Sequence, residues 1–526
     1  MYDYVIVGGG SAGCVLAARL TEDPDVTVCV VEAGPLDTVE NIHVPAGFAK
    51  LFRTGVDWDY DTHDEPGLNG RRVFLPQGRV LGGTSSINSM IYVRGNPLDF
   101  DAWGQPGWGF DDLLGYFLRS EDNDRGESAF HGVGGPLGVS DNRARNPMST
   151  AFLAAAAAAG FAANDDFNGP AQDGFGYFQV NQRDGRRSSA ATAFLHPVLH
   201  RPNLTLEANL QTHRVLVEGG RATGVVGFRA GEEITVRAER EVVLAAGAYN
   251  SPQLLMLSGI GPAAMLGALN IPVVLDQPLV GQNLQDHALV PLVYTHRHPI
   301  SMLAAGAPES VHQFVTEGRG PLTSNGPEAG GFVRTLSGLP APDVEFLTAP
   351  VMIADSGLAA PTAHAITLGA SLLTPLSRGH VSLGSDDPTA KPRIVHNYYA
   401  DPADLDTAVR ALRIALEIAG TAPLEPYTET AFRPPASTSE EDLRAYARAR
   451  TQSTYHPVGT CAMGQVVDAE LRVMGVEGLR VVDASVMPTI TRGNTNAPVI
   501  AIAEKAADLI SGAPALPARG TEALAA

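Results

Sequence analysis

The chain opens with Tyr4-Val5-Ile6-Val7-Gly8-Gly9-Gly10-Ser11-Ala12-Gly13, an apolar strand-like run that passes straight into a glycine-rich turn. Each part meets a separate demand of dinucleotide binding. Gly8 permits the tight turn out of a strand, Gly10 lets backbone approach a pyrophosphate, and Gly13 lets a helix pack closely on a strand. The helix that follows carries Val15, Leu16 and Leu20 and turns its free N-terminal N–H groups toward phosphate charge. A second apolar run, Val26-Thr27-Val28-Cys29-Val30-Val31, ends at Glu32, 19 residues after Gly13. A carboxylate there can accept hydrogen bonds from a ribose. A glycine triplet alone would mark an ordinary loop. Strand before, helix after and acid at this distance together predict a dinucleotide site.

At 526 residues the chain exceeds what one hydrophobic core sustains, so two structural domains are expected. Its 44% hydrophobic and 18% charged residues are those of a globular protein rather than a disordered one. A formal charge of −20 opposes binding to nucleic acid or to an anionic membrane, whose phosphates it would repel. Cys14, Cys29 and Cys461 lack metal-ligand spacing, and the first two fall in apolar elements. No metal site and no disulfide framework are therefore expected, and a reducing cytoplasm fits. The first strand starts within four residues of Met1, which leaves no room for a signal peptide. The apolar stretch from Ala151 to Ala163 is too short to span a bilayer. It predicts a packed helix capped by Ser149 or Thr150 and stopped by Gly160. The tail from Ser511 to Ala526, rich in Pro and Ala, is expected to fray.

Two later segments read as returns to one parallel sheet: Arg240–Ala248 and Gly478–Ser485. Each would bring a Gly or Asp to the carboxyl end of a strand, where α/β folds bind ligands. Between Asn203 and Glu241, alternation broken by Glu218-Gly219-Gly220 and Ala230-Gly231-Glu232 predicts inserted antiparallel strands. The stretch from about 287 to 450 differs, mixing loops, strands such as Gly379–Leu383 and a helix from about Asp401 to Ala419. It reads as part of a second, α+β domain.

Three further segments narrow the reading. They are Gly78-Arg79-Val80-Leu81-Gly82-Gly83-Thr84-Ser85-Ser86-Ile87-Asn88-Ser89, then Gly247–Gly261, then Tyr455-His456-Pro457-Val458-Gly459-Thr460 followed by Gly493-Asn494-Thr495-Asn496-Ala497-Pro498. With the N-terminal turn, and in this order from Tyr4 to about Ile510, they closely resemble the glucose–methanol–choline (GMC) flavoprotein oxidoreductases, most of all bacterial choline and alcohol dehydrogenases. The resemblance implies an α/β protein with a Rossmann-like FAD-binding domain and an interleaved α+β substrate-binding domain built on an antiparallel sheet. The first is expected over 1–150, 200–286 and 455–526, the second over 151–199 and 287–454. Gly8, Gly10, Gly13 and Glu32 then become the ADP-holding end of an FAD site, and Ser11, Ala12, Ala33, Arg79 and Ala484 are also expected to contact the cofactor.

Gly82, Gly83 and the hydroxyls of Thr84, Ser85 and Ser86 suit a pyrophosphate or a flavin edge, the alternative being a capped helix start. By resemblance Asn88 lies close to the flavin ring. Some family members attach FAD to a histidine in this segment; the matching position here is Ile87, so a non-covalent cofactor is expected. Alcohol oxidation needs a base for the hydroxyl proton, and imidazole suits that task. His456, in a turn fixed by Pro457 and Gly459, is expected to be that base and by resemblance faces flavin N5. Asn494 matches the second active-site position; as an amide it is no base and would hydrogen-bond the substrate oxygen. Asn496 is expected to touch the flavin or support the loop, and Asp483 to approach the cofactor while capping a helix. Val215 is either the residue whose backbone meets adenine or a plain strand residue, and Glu328 faces either substrate or the protein interior.

The resemblance implies oxidation of a primary alcohol to an aldehyde, with hydride passing to N5 and electrons then to O₂ or to a quinone or other carrier. The expected partners are a small-molecule alcohol and that acceptor, with no nucleic acid and no transmembrane segment. The expected compartment is the cytoplasm, or the periphery of the inner membrane if a quinone is used. The rival readings are an FAD-containing lyase of the hydroxynitrile-lyase kind and a photodecarboxylase of the same fold.

Overall fold

The computed structural model describes residues 1–520. The opening run forms strand β1 (Tyr2–Val7), the glycine turn leads into helix α1 (Ser11–Leu20), and the next apolar run is strand β2 (Val28–Val31). β2 is buried throughout and β1 from Tyr4 onward, which is why neither alternates apolar with polar: both faces of a parallel sheet are covered. β1 pairs in parallel with β2 and with the carboxyl half of a 13-residue strand, Glu232–Leu244. Leu479–Val481 adds in parallel beyond that strand. Both expected returns, near 240–248 and 478–485, therefore lie in this sheet.

The amino half of Glu232–Leu244 leaves the parallel sheet and pairs antiparallel with Arg221–Arg229, which pairs with Gln211–Glu218. One strand thus serves two layers. The expectation of antiparallel strands throughout 203–241 is corrected at Leu204–Glu207, which pairs in parallel with β2 at the sheet edge. An edge covers only one side, and the alternating Leu-Thr-Leu-Glu of this segment suits it.

The second large sheet is antiparallel, in the order Thr430–Phe432, Ala288–Thr295, Ala365–Leu372, Val344–Ala349, Ala329–Val333, Gly174–Tyr177, with Gln452–Ser453 pairing beside Ala288–Leu289. Helix Pro402–Ala419 packs against it through Leu405, Val409, Leu412 and Ile418, and Asp401 caps it by accepting from Ala403 N at 2.9 Å. The alanine-rich helix spans Pro147–Ala158, and its cap is Asn146, not Ser149 or Thr150. Pro147 sets the first helical position, which leaves Ser149 inside the helix and free to bond elsewhere. Gly160 follows the helix end at φ 90°, as its stop role requires.

The last helix runs Asn496–Ser511 and packs on α1. The expected fraying of the tail is corrected as far as residue 519. Leu516 N donates to Tyr116 Oη at 3.2 Å and Arg519 N to Asp111 O at 3.0 Å; positions 521–526 lie outside the described residues. The three cysteines are buried and unpaired. Among the described residues no helix is long and apolar enough to cross a membrane.

A Cβ added to Gly13 would lie 1.9 Å from Gly8 O, whereas one on exposed Gly55 would meet nothing within 4 Å. Gly13→Ala is expected to cost about 3 kcal/mol of stability and Gly55→Ala less than about 0.5 kcal/mol, read as shifts in denaturation midpoint.

Candidate active site

A cavity of about 900 Å³ lies between the carboxyl ends of β1 and β2 and one face of the antiparallel sheet. Its floor is two glycine loops in contact. Gly8 takes φ 105°, and a Cβ there would meet Ala245 O at 2.5 Å. A Cβ on Gly83 would stand 2.7 Å from Gly10 Cα, and Gly82 N donates to Gly9 O at 2.7 Å. Beside Gly10 itself the space is open, with nothing nearer than 3.8 Å to a Cβ placed there. Two helix N-termini meet over this floor. Neither α1 nor the last helix is capped by a side chain, and Ser11 Oγ joins them by donating to Asn496 Oδ1 at 2.8 Å. Unspent N–H groups and two converging helix dipoles make an anion site of the kind a pyrophosphate fills.

Glu32 and Ala33 line the same cavity. The Glu32 carboxylate accepts from Gly9 N at 2.8 Å and Gly34 N at 2.7 Å, and burial pushes it up to about 7. Asp483 and Ala484 line it too. Asp483 accepts from Gly247 N, Ser251 Oγ and Ser485 N, so it both caps the turn at 484–486 and anchors the helix that starts at Gly247. Buried Arg79 Nε, Thr212 Oγ1 and Asn494 Oδ1 have no partner within the protein, and all three residues line the cavity. An apolar slot with open N–H groups at its floor and stranded polar atoms along its length fits a dinucleotide.

The hydroxyls after Gly83 are corrected. Ser85 Oγ donates to Gly82 O and Ser86 Oγ to Leu81 O, while Thr84 Oγ1 donates to Gln77 Oε1. All three brace the loop, and of them Thr84 alone also lines the cavity. Asn88 lines the cavity with its Oδ1 already accepting from Met90 N at 3.0 Å and Arg187 Nη1 at 2.8 Å. What it offers the cavity is therefore its amide NH₂. Buried Arg187 also donates to Ile42 O and Ser85 O, and burial pulls it down to about 9.

His456 and Asn494, 38 positions apart, meet with Asn494 Nδ2 3.1 Å from His456 Nε2. His456 follows Tyr455, held at φ 68°, and Gly459 takes φ 94°. The turn is pinned by Asp286, whose carboxylate accepts from His456 N at 2.8 Å, Ser453 Oγ at 2.5 Å and Tyr398 Oη at 2.6 Å. The proton positions follow from the partners. His287 Nε2 lies 3.2 Å from Leu373 O, which can only accept, so that nitrogen carries the proton. His287 Nδ1 is then an acceptor, 3.0 Å from His456 Nδ1, which donates to it and also lies 3.1 Å from the Thr454 hydroxyl, itself donating to His287 O at 3.1 Å. His456 Nε2 is left with a lone pair facing Asn494 and the cavity. Burial lowers His456 to about 4 and holds His287 well below its ordinary value, so both rings are neutral.

Four expected site residues stand off the cavity wall. Gly13 and Gly82 serve packing and loop contact. Val215 donates its N–H to Ser258 Oγ at 2.8 Å, and Leu210 with the first strand residues, Gln211 and Thr212, reaches the cavity instead. Glu328 turns inward, where its carboxylate accepts from Asn146 N, Ser149 Oγ and Ser324 Oγ at 2.6–2.8 Å. Its expected substrate-facing alternative is thereby overturned. Sequence reading missed Asp286, His287 and Arg187; the adjacent acid and imidazole ahead of an apolar strand were the signal to follow.

Family models described as GMC oxidoreductase match residues 2–289 and 375–503. The alcohol dehydrogenase (acceptor) of Pseudomonas putida is 42% identical over 97% of this chain and 96% of its own. Human mitochondrial choline dehydrogenase is 42% identical over 98% of this chain and 90% of its own. The crystal structure of pyridoxine 4-oxidase from Mesorbium loti matches with a TM-score of 0.90 and 34% identity, covering 98% of this chain and 100% of that one.

The neutral histidine pair makes stability depend on pH. Unfolded histidine binds protons near 6.5 and folded His456 only near 4, so the unfolded state gains protons first. The pair's contribution is complete above about pH 6.5 and is lost as pH falls toward about 4. His287→Phe removes one of these titrations and is expected to reduce the acid-side slope of the unfolding midpoint between those values.

Proposed function

The chain belongs to the GMC oxidoreductase family, FAD enzymes that act on CH–OH groups, and on that premise we propose that it oxidises a primary alcohol to an aldehyde with His456 as general base. Backbone at Gly8, Gly10, Ser11 and Ala12, with the start of the last helix, would hold the pyrophosphate of FAD. Glu32 and Ala33 would hold its adenosine end, and Arg79, Asn88, Asp483, Ala484, Asn494 and Asn496 its flavin side. Bound FAD supplies the hydride acceptor, flavin N5.

The protein's own part is proton handling and orientation. A substrate hydroxyl entering between His456 and Asn494 would donate to the Nε2 lone pair and accept from Asn494 Nδ2. His456 then takes the hydroxyl proton while the carbinol carbon gives up hydride, and the Asn494 amide stabilises the negative charge growing on oxygen. His287, receiving the Nδ1 proton of His456 in a hydrogen bond, fixes the tautomer and ring plane. The observation that carries this reading is the Leu373–His287–His456 chain, which leaves the base nitrogen unprotonated where Asn494 meets it. No observation favours the lyase or the photodecarboxylase. Turnover needs an electron acceptor, O₂ or a quinone or other carrier.

His456→Ala is expected to retain yellow, FAD-loaded protein and to slow anaerobic flavin reduction by roughly 10²–10⁴-fold; normal reduction would remove His456 from the base role. In the unaltered protein the reduction rate is expected to stay level through neutral pH and to decline only as pH falls toward about 4, where folded His456 protonates. Ile87 and Asn88 line the cavity, and His456 is the one described histidine or cysteine that does, which supports non-covalent FAD. Acid precipitation should leave the flavin in the supernatant; flavin in the pellet would show attachment.

A further inference from the structure

The antiparallel sheet decides what kind of alcohol can lie over His456. Leu289 stands opposite Ser371, Gly369 opposite both Pro291 and Leu347, and Thr367 opposite both Val293 and Ala349. Opposed residues in an antiparallel sheet share a face, as do residues two apart along a strand. Leu289, Leu347, Ala349, Thr367 and Gly369 therefore form one continuous surface, and all line the cavity. This surface adjoins the base, because His287, two residues before Leu289, touches His456. Of its polar side chains, Thr367 is spent locally, its Oγ1 donating to Val351 O at 2.7 Å and accepting from Ile353 N at 3.1 Å, while the uncharged Gln452, opposite Leu289, also reaches the cavity wall. Met302 and Met352 cover the same space from neighbouring loops.

No anionic charge reaches this surface. Among the described residues the carboxylates on the cavity wall are Glu32, Asp57 and Asp483. Glu32 and Asp483 belong to the cofactor side, and Asp57 is spent on the N–H groups of Arg53, Asp59 and Gln77. Glu328 faces inward, as shown above. Glu345, one step beyond Leu347 on the same face, is fully buried and off the cavity wall, and burial pushes it up to about 8, which favours its neutral form. The side chain on the wall beside Phe48 is a cation, exposed Lys50.

We propose that the substrate is an uncharged primary alcohol with a hydrophobic chain, and that the site excludes cationic alcohols such as choline. This rests on the reading of the site as an alcohol oxidase or dehydrogenase. A quaternary ammonium buried on this surface would have no counter-charge. Each methylene of an alkyl chain buried there adds about fourfold to transition-state affinity.

The FAD-loaded protein is mixed anaerobically with 1-butanol, 1-hexanol, 1-octanol, choline and 3,3-dimethylbutan-1-ol, the neutral isostere of choline, and flavin bleaching is followed. The second-order reduction constant is expected to rise roughly 10²-fold from butanol to octanol. The neutral isostere is expected to exceed choline by at least about 10²-fold. A flat alkyl series, or choline equal to its isostere, overturns the proposal. If no alcohol bleaches the flavin, the oxidation reading falls, and calorimetry with unoxidisable ligands still decides the surface: octanamide binding tighter than tetramethylammonium supports it, and the reverse overturns it. In Leu347→Glu, checked for its flavin spectrum, the preference for isostere over choline should narrow at least about tenfold. An unchanged preference in folded, flavin-bearing protein overturns the assignment of this face.

Discussion

Everything in this molecule depends on two stretches of backbone touching where no side chain can fit. Gly83, at φ 54°, leaves a Cβ no more than 2.7 Å from Gly10 Cα, and Gly13 presses its helix onto Gly8 O. The contact brings the β1–α1 turn against the loop at 78–88, and Ser11 ties that turn to the start of the last helix. Residues from both ends of the chain thereby face one cavity. Without it, the uncapped N-terminus of α1 and the one that positions Asn494 and Asn496 would not converge.

Burial then does the chemical tuning. Charges are scarce around His456, and the nearby acid that touches it, Asp286, accepts from its backbone N–H rather than its ring. The ring is accordingly tuned mainly by desolvation, which lowers it, against a smaller opposing pull from the Asp286 carboxylate. In the proposed reaction the same dryness favours a neutral, greasy substrate and makes any charge that develops on the substrate oxygen depend on Asn494. Base, amide and apolar roof are three results of one low-dielectric enclosure.

What could be read in advance was what is local. Gly8, Gly10, Gly13 and Glu32 announced their roles because turn, helix and strand lie within 30 residues, and the periodicity of 401–419 likewise declared its helix. His456 and Asn494 were legible as members of motifs. Their proton arrangement was not, since it depends on His287, 169 positions away, and on a carbonyl at Leu373. Glu328 misled for the same reason: two of its three partners, Ser149 and Asn146, lie at a helix start 179 and 182 positions upstream. Pro147 moved that helix's cap to Asn146, which freed Ser149 to bind Glu328. Val215 lies on the right strand, with the cavity-facing part a few residues earlier.

The central claim is that His456 is a neutral base whose Nε2 is bare. Nitrogen-15 NMR of histidine-labelled, FAD-loaded protein at neutral pH tests it directly, with His456 assigned by the signals missing in His456→Asn. The account predicts a protonated, pyrrole-type Nδ1 and an unprotonated, pyridine-type Nε2. A proton on Nε2, in either the opposite tautomer or the imidazolium, would contradict it.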